Sequence, residues 1–216
     1  MEEVRVLIRL ESAEVARGSF RLSAVGTFRP GIHRVSGPVG SGKSTLALLM
    51  AGLLHPTSGT VYREGIRSLL LSLQFPEYQI TGSTLLEECA SWGLDPVPFL
   101  NAEGFRNESG RDPFSLSRGE LKRFHLACIL SKPCDLLLLD EPFSALDCRQ
   151  KELLCDRLSG RSTGITVIFT HEVEFLPEID YSWNIADGSL YDHGRTSGPE
   201  MIVTGLKKIP RRPSDE

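Results

Sequence analysis

The chain has 216 residues, 40% of them hydrophobic and 24% charged, with a formal net charge of −4, which suits a globular chain able to bury a substantial core. This composition excludes a disordered or fibrous protein, and the small acidic excess supplies no basic field for neutralising nucleic-acid phosphates. Nucleic acid is therefore not an expected partner.

No apolar run approaches the roughly 18–20 residues that a bilayer span requires, and the opening stretch alternates and carries acids where a secretory leader would be basic and then apolar. A cytoplasmic location is expected. Five cysteines, Cys89, Cys128, Cys134, Cys148 and Cys155, form no C-x-x-C pair and read as reduced, mostly buried small apolar residues.

The first thirty residues hold short alternating segments, Val4–Leu10 and Ser19–Ala24, interrupted by Gly and Pro, a pattern that predicts antiparallel β structure. The apolar run Ile32–Val35 then predicts a strand, followed by Gly37-Pro38-Val39-Gly40-Ser41-Gly42-Lys43-Ser44 and a helix from Lys43. That octapeptide fits G-x-x-x-x-G-K-[ST] in the strand-to-helix context which the motif requires. Glycines let backbone N–H groups turn inward around phosphates, the helix N-terminus adds positive potential, Lys43 reaches the β and γ phosphates, and Ser44 offers an oxygen to Mg2+. Gly37 to Ser44, with the adjacent Thr45, are thus the expected ATP-binding residues.

Further on, Leu69–Leu73 predicts a strand before a helix near Ser83–Ser91, and Leu136–Leu139 and Ile165–Phe169 predict strands that each precede another helix. Continuous apolar strands of this kind are buried on both faces, as in a parallel sheet flanked by helices. The region 75–130 lacks such strands and reads as a helical lobe inserted into a core made of 1–74 and 131–205. Residues 206–216 carry no hydrophobic period and read as a flexible tail.

Asp140 and Glu141 close the run Leu136–Leu139 and fall at the C-terminal edge of the sheet, where open α/β sheets bind ligands. Asp140 is placed to hold Mg2+, largely through water. Glu141 is placed to polarise the water that attacks the γ-phosphate.

Leu116-Ser117-Arg118-Gly119-Glu120, about twenty residues before Asp140, resembles the signature sequence of ATP-binding cassette proteins. The order of phosphate loop, signature and acidic strand is that family's order. The resemblance implies a P-loop NTPase fold with an N-terminal antiparallel part and an inserted helical subdomain. It also implies a dimer in which Ser117, Arg118, Gly119 and Glu120 face nucleotide held by the other subunit. Gln74 is similar to the family's Q-loop glutamine, which touches Mg2+ and links nucleotide to the membrane partner; Ser144-Ala145-Leu146-Asp147 resembles the D-loop; His171 resembles the switch histidine near the γ-phosphate. By this resemblance the catalytic set is Glu141, His171 and Gln74, and the metal set is Ser44, Gln74 and Asp140.

Gln74-Phe75-Pro76-Glu77-Tyr78-Gln79-Ile80 and the acidic helix after it resemble the energy-coupling-factor and cobalt-type branch, which energises uptake of vitamins or metal ions. Such a chain is expected to work with a second ATPase subunit and a transmembrane subunit, on the inner face of the cell membrane. Two departures stand out: Arg118 replaces the usual signature glycine, and no aromatic precedes Phe20 where the family stacks one on adenine, leaving Arg17 as the substitute. A soluble cassette acting on DNA or ribosomes would carry paired cassettes or sustained heptads. A slowly hydrolysing regulatory subunit is opposed by intact Lys43, Asp140, Glu141 and His171.

Overall fold

A computed structural model describes residues 6–161 and 163–196; the expected tail, 206–216, lies outside them. Among the described residues nine strands form one mixed sheet: β1 (Leu7–Arg17), β2 (Phe20–Phe28), β3 (Gly31–Ser36), β4 (Ser58–Glu64), β5 (Leu69–Ser72), β6 (Leu136–Asp140), β7 (Ile165–Phe169), β8 (Tyr181–Ala186) and β9 (Ser189–Arg195), in the spatial order β4-β1-β2-β9-β8-β3-β7-β6-β5. The half from β8 to β5 is parallel throughout, whereas β1 pairs antiparallel with both β2 and β4.

The parallel half matches its sequence pattern. All five residues of β6 and of β7 are buried, and the leucines of β6 divide by period 2: Leu136 and Leu138 enter one hydrophobic cluster, Leu137 and Leu139 the other. Helix α1 (Lys43–Ala51) covers the first face with Leu46, Leu49 and Met50. Leu126 and Ile129 of α4 (Arg118–Leu130) and Leu154 and Leu158 of α5 (Cys148–Ser159) cover the second.

Helices α2 (Leu85–Ser91) and α3 (Pro96–Ala102) gather with the first half of α4 around a third cluster, in which Leu85, Cys89, Leu100, Phe105 and Phe124 are buried. Helix α4 is apolar around much of its circumference because it belongs to two cores at once. Its start is sharply fixed by a capping box: Ser117 Oγ accepts from the Glu120 amide, and the Glu120 carboxylate accepts from the Ser117 amide at 2.8 Å.

Two elements differ from the sequence reading. The helix expected after Ile165–Phe169 does not form; residues 170–180 are irregular. Pro177 would break it within two turns, and the Glu172 carboxylate already engages the amides of Val173 and Glu174, which competes with a helical start. Strand β4 had no sequence signal, since it is an edge strand with six of its seven residues exposed and so shows no apolar alternation. Among the described residues no helix is long and apolar enough to cross a membrane.

Candidate functional site

Four neighbouring parallel strands, β3, β7, β6 and β5, each release site residues at the same edge. The phosphate-loop sequence follows β3, Thr170 and His171 follow β7, Asp140 and Glu141 end β6, and Gln74 follows β5. Residues far apart in the chain meet here because parallel strands in register end together.

The loop from Gly37 to Gly42 depends on glycine at specific points. Gly37 has φ 149°, and a Cβ there would lie 2.7 Å from the Ile185 carbonyl oxygen; Gly42 has φ 109°, and a Cβ there would meet the Phe20 ring at 3.0 Å. Pro38, Val39 and Gly40 form the exposed crest and Ser41 is half-buried. Helix α1 starts at Gly42 with no side chain capping it, unlike α4 and α5, both of which carry full capping boxes. Its first amides are thus left for an anion. Ser44 is exposed and Thr45 half-buried on the first turn.

Lys43, 7% exposed, donates from Nζ to the carbonyls of Gly37 (2.9 Å) and Pro38 (3.2 Å) and lies 3.5 Å from Glu141 Oε1. Asp140 is buried with Oδ1 unpaired, and burial pushes its carboxyl up, offset by a hydrogen bond from Ser44. An orphaned buried carboxylate oxygen beside a serine hydroxyl, at the uncapped start of α1, is a donor set that a hydrated Mg2+ ion bound to a nucleotide phosphate would complete. Among the described residues no cluster of three or more His, Cys, Asp or Glu side chains could hold a metal alone.

Glu141 is the most constrained residue of the site. Its backbone is left-handed, φ 46°, at a cost of about 1 kcal/mol or more for a residue with a Cβ, while its amide continues the ladder to the Phe169 carbonyl at 2.8 Å. The carboxylate receives three groups: His171 Nδ1 at 2.9 Å, Lys43 Nζ at 3.5 Å, and the Thr170 hydroxyl, which donates to Oε2 at 3.2 Å. His171 is 66% exposed in its side chain, so one nitrogen holds Glu141 while the rest of the ring faces solvent. Thr170, fully buried, was not singled out from the sequence; its position directly before His171 was the available signal.

Other predicted residues lie apart from this cluster. Ser117 and Arg118 are exposed at the start of α4, and Glu120 is occupied in the capping box with Ser117. Gly119 touches the segment before α5: a Cβ there would lie 2.7 Å from the Ala145 carbonyl. Asp147 is exposed and caps α5 by accepting from the Gln150 amide at 2.8 Å. Gln74 is exposed, and its carbonyl accepts from Lys122 Nζ at 3.2 Å. Lys122 itself is 2% exposed, and burial draws its amine down to about 8 against the pull of Asp140, Glu77 and Glu141. Arg17 pairs across the β1–β2 hairpin with Phe20, whose ring lies against Gly42.

The ABC transporter family profile matches residues 27–144, a span holding the phosphate loop, the signature helix and the acidic strand end. The chain belongs to the ABC transporter family. This cassette is an ATP-binding subunit of that family, whose members are ATPases that energise transport. It is 35% identical over 162 residues to the energy-coupling factor transporter ATP-binding protein EcfA2 of Thermotoga maritima, covering 65% of this chain and 61% of that one. It is 34% identical over 194 residues to the thiamine import ATP-binding protein ThiQ of Shigella flexneri, covering 79% and 82% respectively. A solved structure described as the ATP binding subunit of an ABC transporter superposes with a TM-score of 0.72 at 18% identity, covering 88% of the cassette and 90% of that chain.

Proposed function

We propose that this cassette binds Mg-ATP at the edge formed by β3, β7, β6 and β5 and hydrolyses it with Glu141 as the base, in a transporter of the energy-coupling-factor type that takes up a vitamin or metal ion. The observation that carries the reading is the Glu141 carboxylate held by His171, Lys43 and Thr170 beside the phosphate loop. When bound, Mg2+ would neutralise phosphate charge; Ser44, Asp140 and Gln74 are the residues to hold it. Gly37 to Thr45 hold the phosphates, and Lys43 exchanges its loop carbonyls for phosphate oxygens. Glu141 accepts a proton from water at a carboxylate oxygen, and His171, Lys43 and Thr170 fix how that carboxylate is turned. Phosphoryl transfer asks mainly for positioning and charge, so these fixed groups suffice.

Residues 75–130 serve as a lobe bearing Ser117 and Gly119 towards the nucleotide of a second cassette, and Asp147 lies at the same subunit interface. Hydrolysis of Mg-ATP by the purified chain tests the reading. Lys43→Ala should weaken ATP binding about tenfold to a hundredfold, the scale of hydrogen bonds to charged groups. Unchanged affinity by titration calorimetry would remove the phosphate-loop assignment.

The membrane partner is proposed to sit on the turn after Gln74. Tyr78 there is 79% exposed, and Phe75, with Arg118 over its ring, is still 40% exposed, so the pair leaves aromatic surface open to a partner. Tyr78→Ala should leave the melting temperature nearly unchanged but weaken assembly with the membrane subunit by about 2 kcal/mol, roughly thirtyfold. Normal co-purification and transport by the variant would exclude Tyr78 from that contact.

A further inference from the structure

Helix α4 meets the segment after β5 through two basic side chains one turn apart. The guanidinium carbon of Arg118 lies 5.8 Å from the centre of the Phe75 ring, and that ring meets Tyr78 edge-on at 6.2 Å with an interplanar angle of 88°. Lys122 donates to the carbonyls of Leu73 (3.1 Å) and Gln74 (3.2 Å). One turn further, His125 Nε2 lies 3.2 Å from Gln79 Oε1, and the Gln79 side chain spans the same strand end, accepting from the Leu73 amide and donating to the Leu71 carbonyl, each at 2.7 Å. Gln74–Glu77, Arg118, Lys122 and Ala145 line a cavity of about 210 Å3, so the two segments leave space between them beside these side-chain contacts.

A lysine this deeply buried carries a desolvation cost that an apolar residue would avoid. Its amine is spent on the carbonyls of two successive peptide groups, Leu73–Gln74 and Gln74–Phe75, just beyond the end of β5. Arg118 adds a cation over an aromatic face, a contact that keeps Phe75 turned towards the helix. The same arginine occupies the signature position where glycine is usual, so its orientation decides which subunit it serves.

We propose that Arg118 acts within its own subunit as a positioning residue: stacked on Phe75 and seconded by Lys122, it fixes Gln74 and the Phe75–Tyr78 surface to the signature helix, so that these parts move as one body. The proposal rests on the hydrolytic reading above, in which Gln74 and Ser117 meet nucleotide. Contact between Arg118 and the partner subunit's nucleotide is the competing outcome.

A double-substitution cycle on the full chain separates the two. Arg118→Gln and Phe75→Leu should each lower kcat by roughly two- to fivefold, the range of an exposed cation–π contact, with KM and melting temperature nearly constant. The double variant should be no worse than either single one, and Phe75→Trp, which keeps an aromatic face, should retain wild-type kcat. Multiplying losses in the double variant, or unchanged kcat in both singles, would overturn the proposal and leave the hydrolytic reading intact. Absence of Mg-ATP turnover in the wild type would instead overturn that reading. The positioning claim is then decided by amide exchange: Lys122→Met should speed exchange at Tyr78 and Gln79, whose amides close the turn onto Phe75 and Pro76, and unaltered protection there would overturn it.

Discussion

Glu141→Gln is expected to lower steady-state ATP hydrolysis by about a hundredfold to ten-thousandfold, the contribution of a positioned general base, while ATP binding persists and closed dimers accumulate. The substitution preserves shape. A glutamine carbonyl can still accept from Thr170 or His171, so the left-handed backbone at φ 46° and its amide bond to Phe169 need not move. What disappears is the negative charge and the capacity to take a proton. Lys43 loses its neighbour at 3.5 Å but keeps the carbonyls of Gly37 and Pro38, so the loop retains its shape and its affinity for phosphate. Rate and binding should therefore separate, as they do when a group acts only in the transition state. Turnover measured alongside ATP-dependent dimerisation decides the matter: hydrolysis within a few-fold of wild type would exclude Glu141 as the base and shift attention to His171.

The difference between what the sequence discloses and what it conceals follows the range of the contacts. The phosphate loop and the acidic end of β6 are local, because each consists of residues within about ten positions whose types are dictated by backbone conformation or by the strand end. The two-faced burial of Leu136–Leu139 was also readable, since a run without polar interruption has few other uses. The meeting of Lys122 with Gln74, 48 residues away in sequence, leaves no local trace; a lysine on an otherwise apolar helix face usually marks solvent. Arg118 illustrates the same limit. Its presence in the signature was plain, yet its direction towards Phe75 depends on how α4 packs against the turn after β5. Phe20 served only as a landmark in the sequence, whereas the hairpin brings its ring against Gly42. The absent helix after β7 is a case of local chemistry overlooked: Pro177 and the carboxylate of Glu172 were both in view.

Acidification from pH 7 to about 4.5 should destabilise the isolated cassette by several kcal/mol, chiefly because two histidines are buried as neutral rings. His33, fully buried, has Nε2 2.7 Å from the Arg29 carbonyl, to which it donates, so Nδ1 is the acceptor for the Trp183 indole at 3.0 Å. A second proton would set two donors against each other, and burial draws this imidazole down to about 4 despite the Arg29 carbonyl, Asp180 and Asp192. Burial, with the charge of Lys122, draws His125 to about 4 as well, against Glu88. For both, the folded value lies below the ordinary 6.5, so between these limits the unfolded chain binds protons that the native one refuses. Stability from these rings is complete above about pH 6.5 and declines as pH falls towards 4, by about 3 kcal/mol for each ring. Against a total of roughly 5–15 kcal/mol, that loss is large. Glu172, held near 2 chiefly by Lys151, loses its contribution as pH falls from about 4.5 towards 2, whereas Asp140, pushed up by burial, works in the opposite sense. Urea unfolding followed by tryptophan fluorescence reports on both sites, since Trp183 hydrogen-bonds His33 and Trp92 lies edge-on to His125 at 6.1 Å. The unfolding midpoint should fall steadily between pH 6.5 and 4.5, and a midpoint that is flat or rises across that interval would mean that neither imidazole is held neutral by the fold.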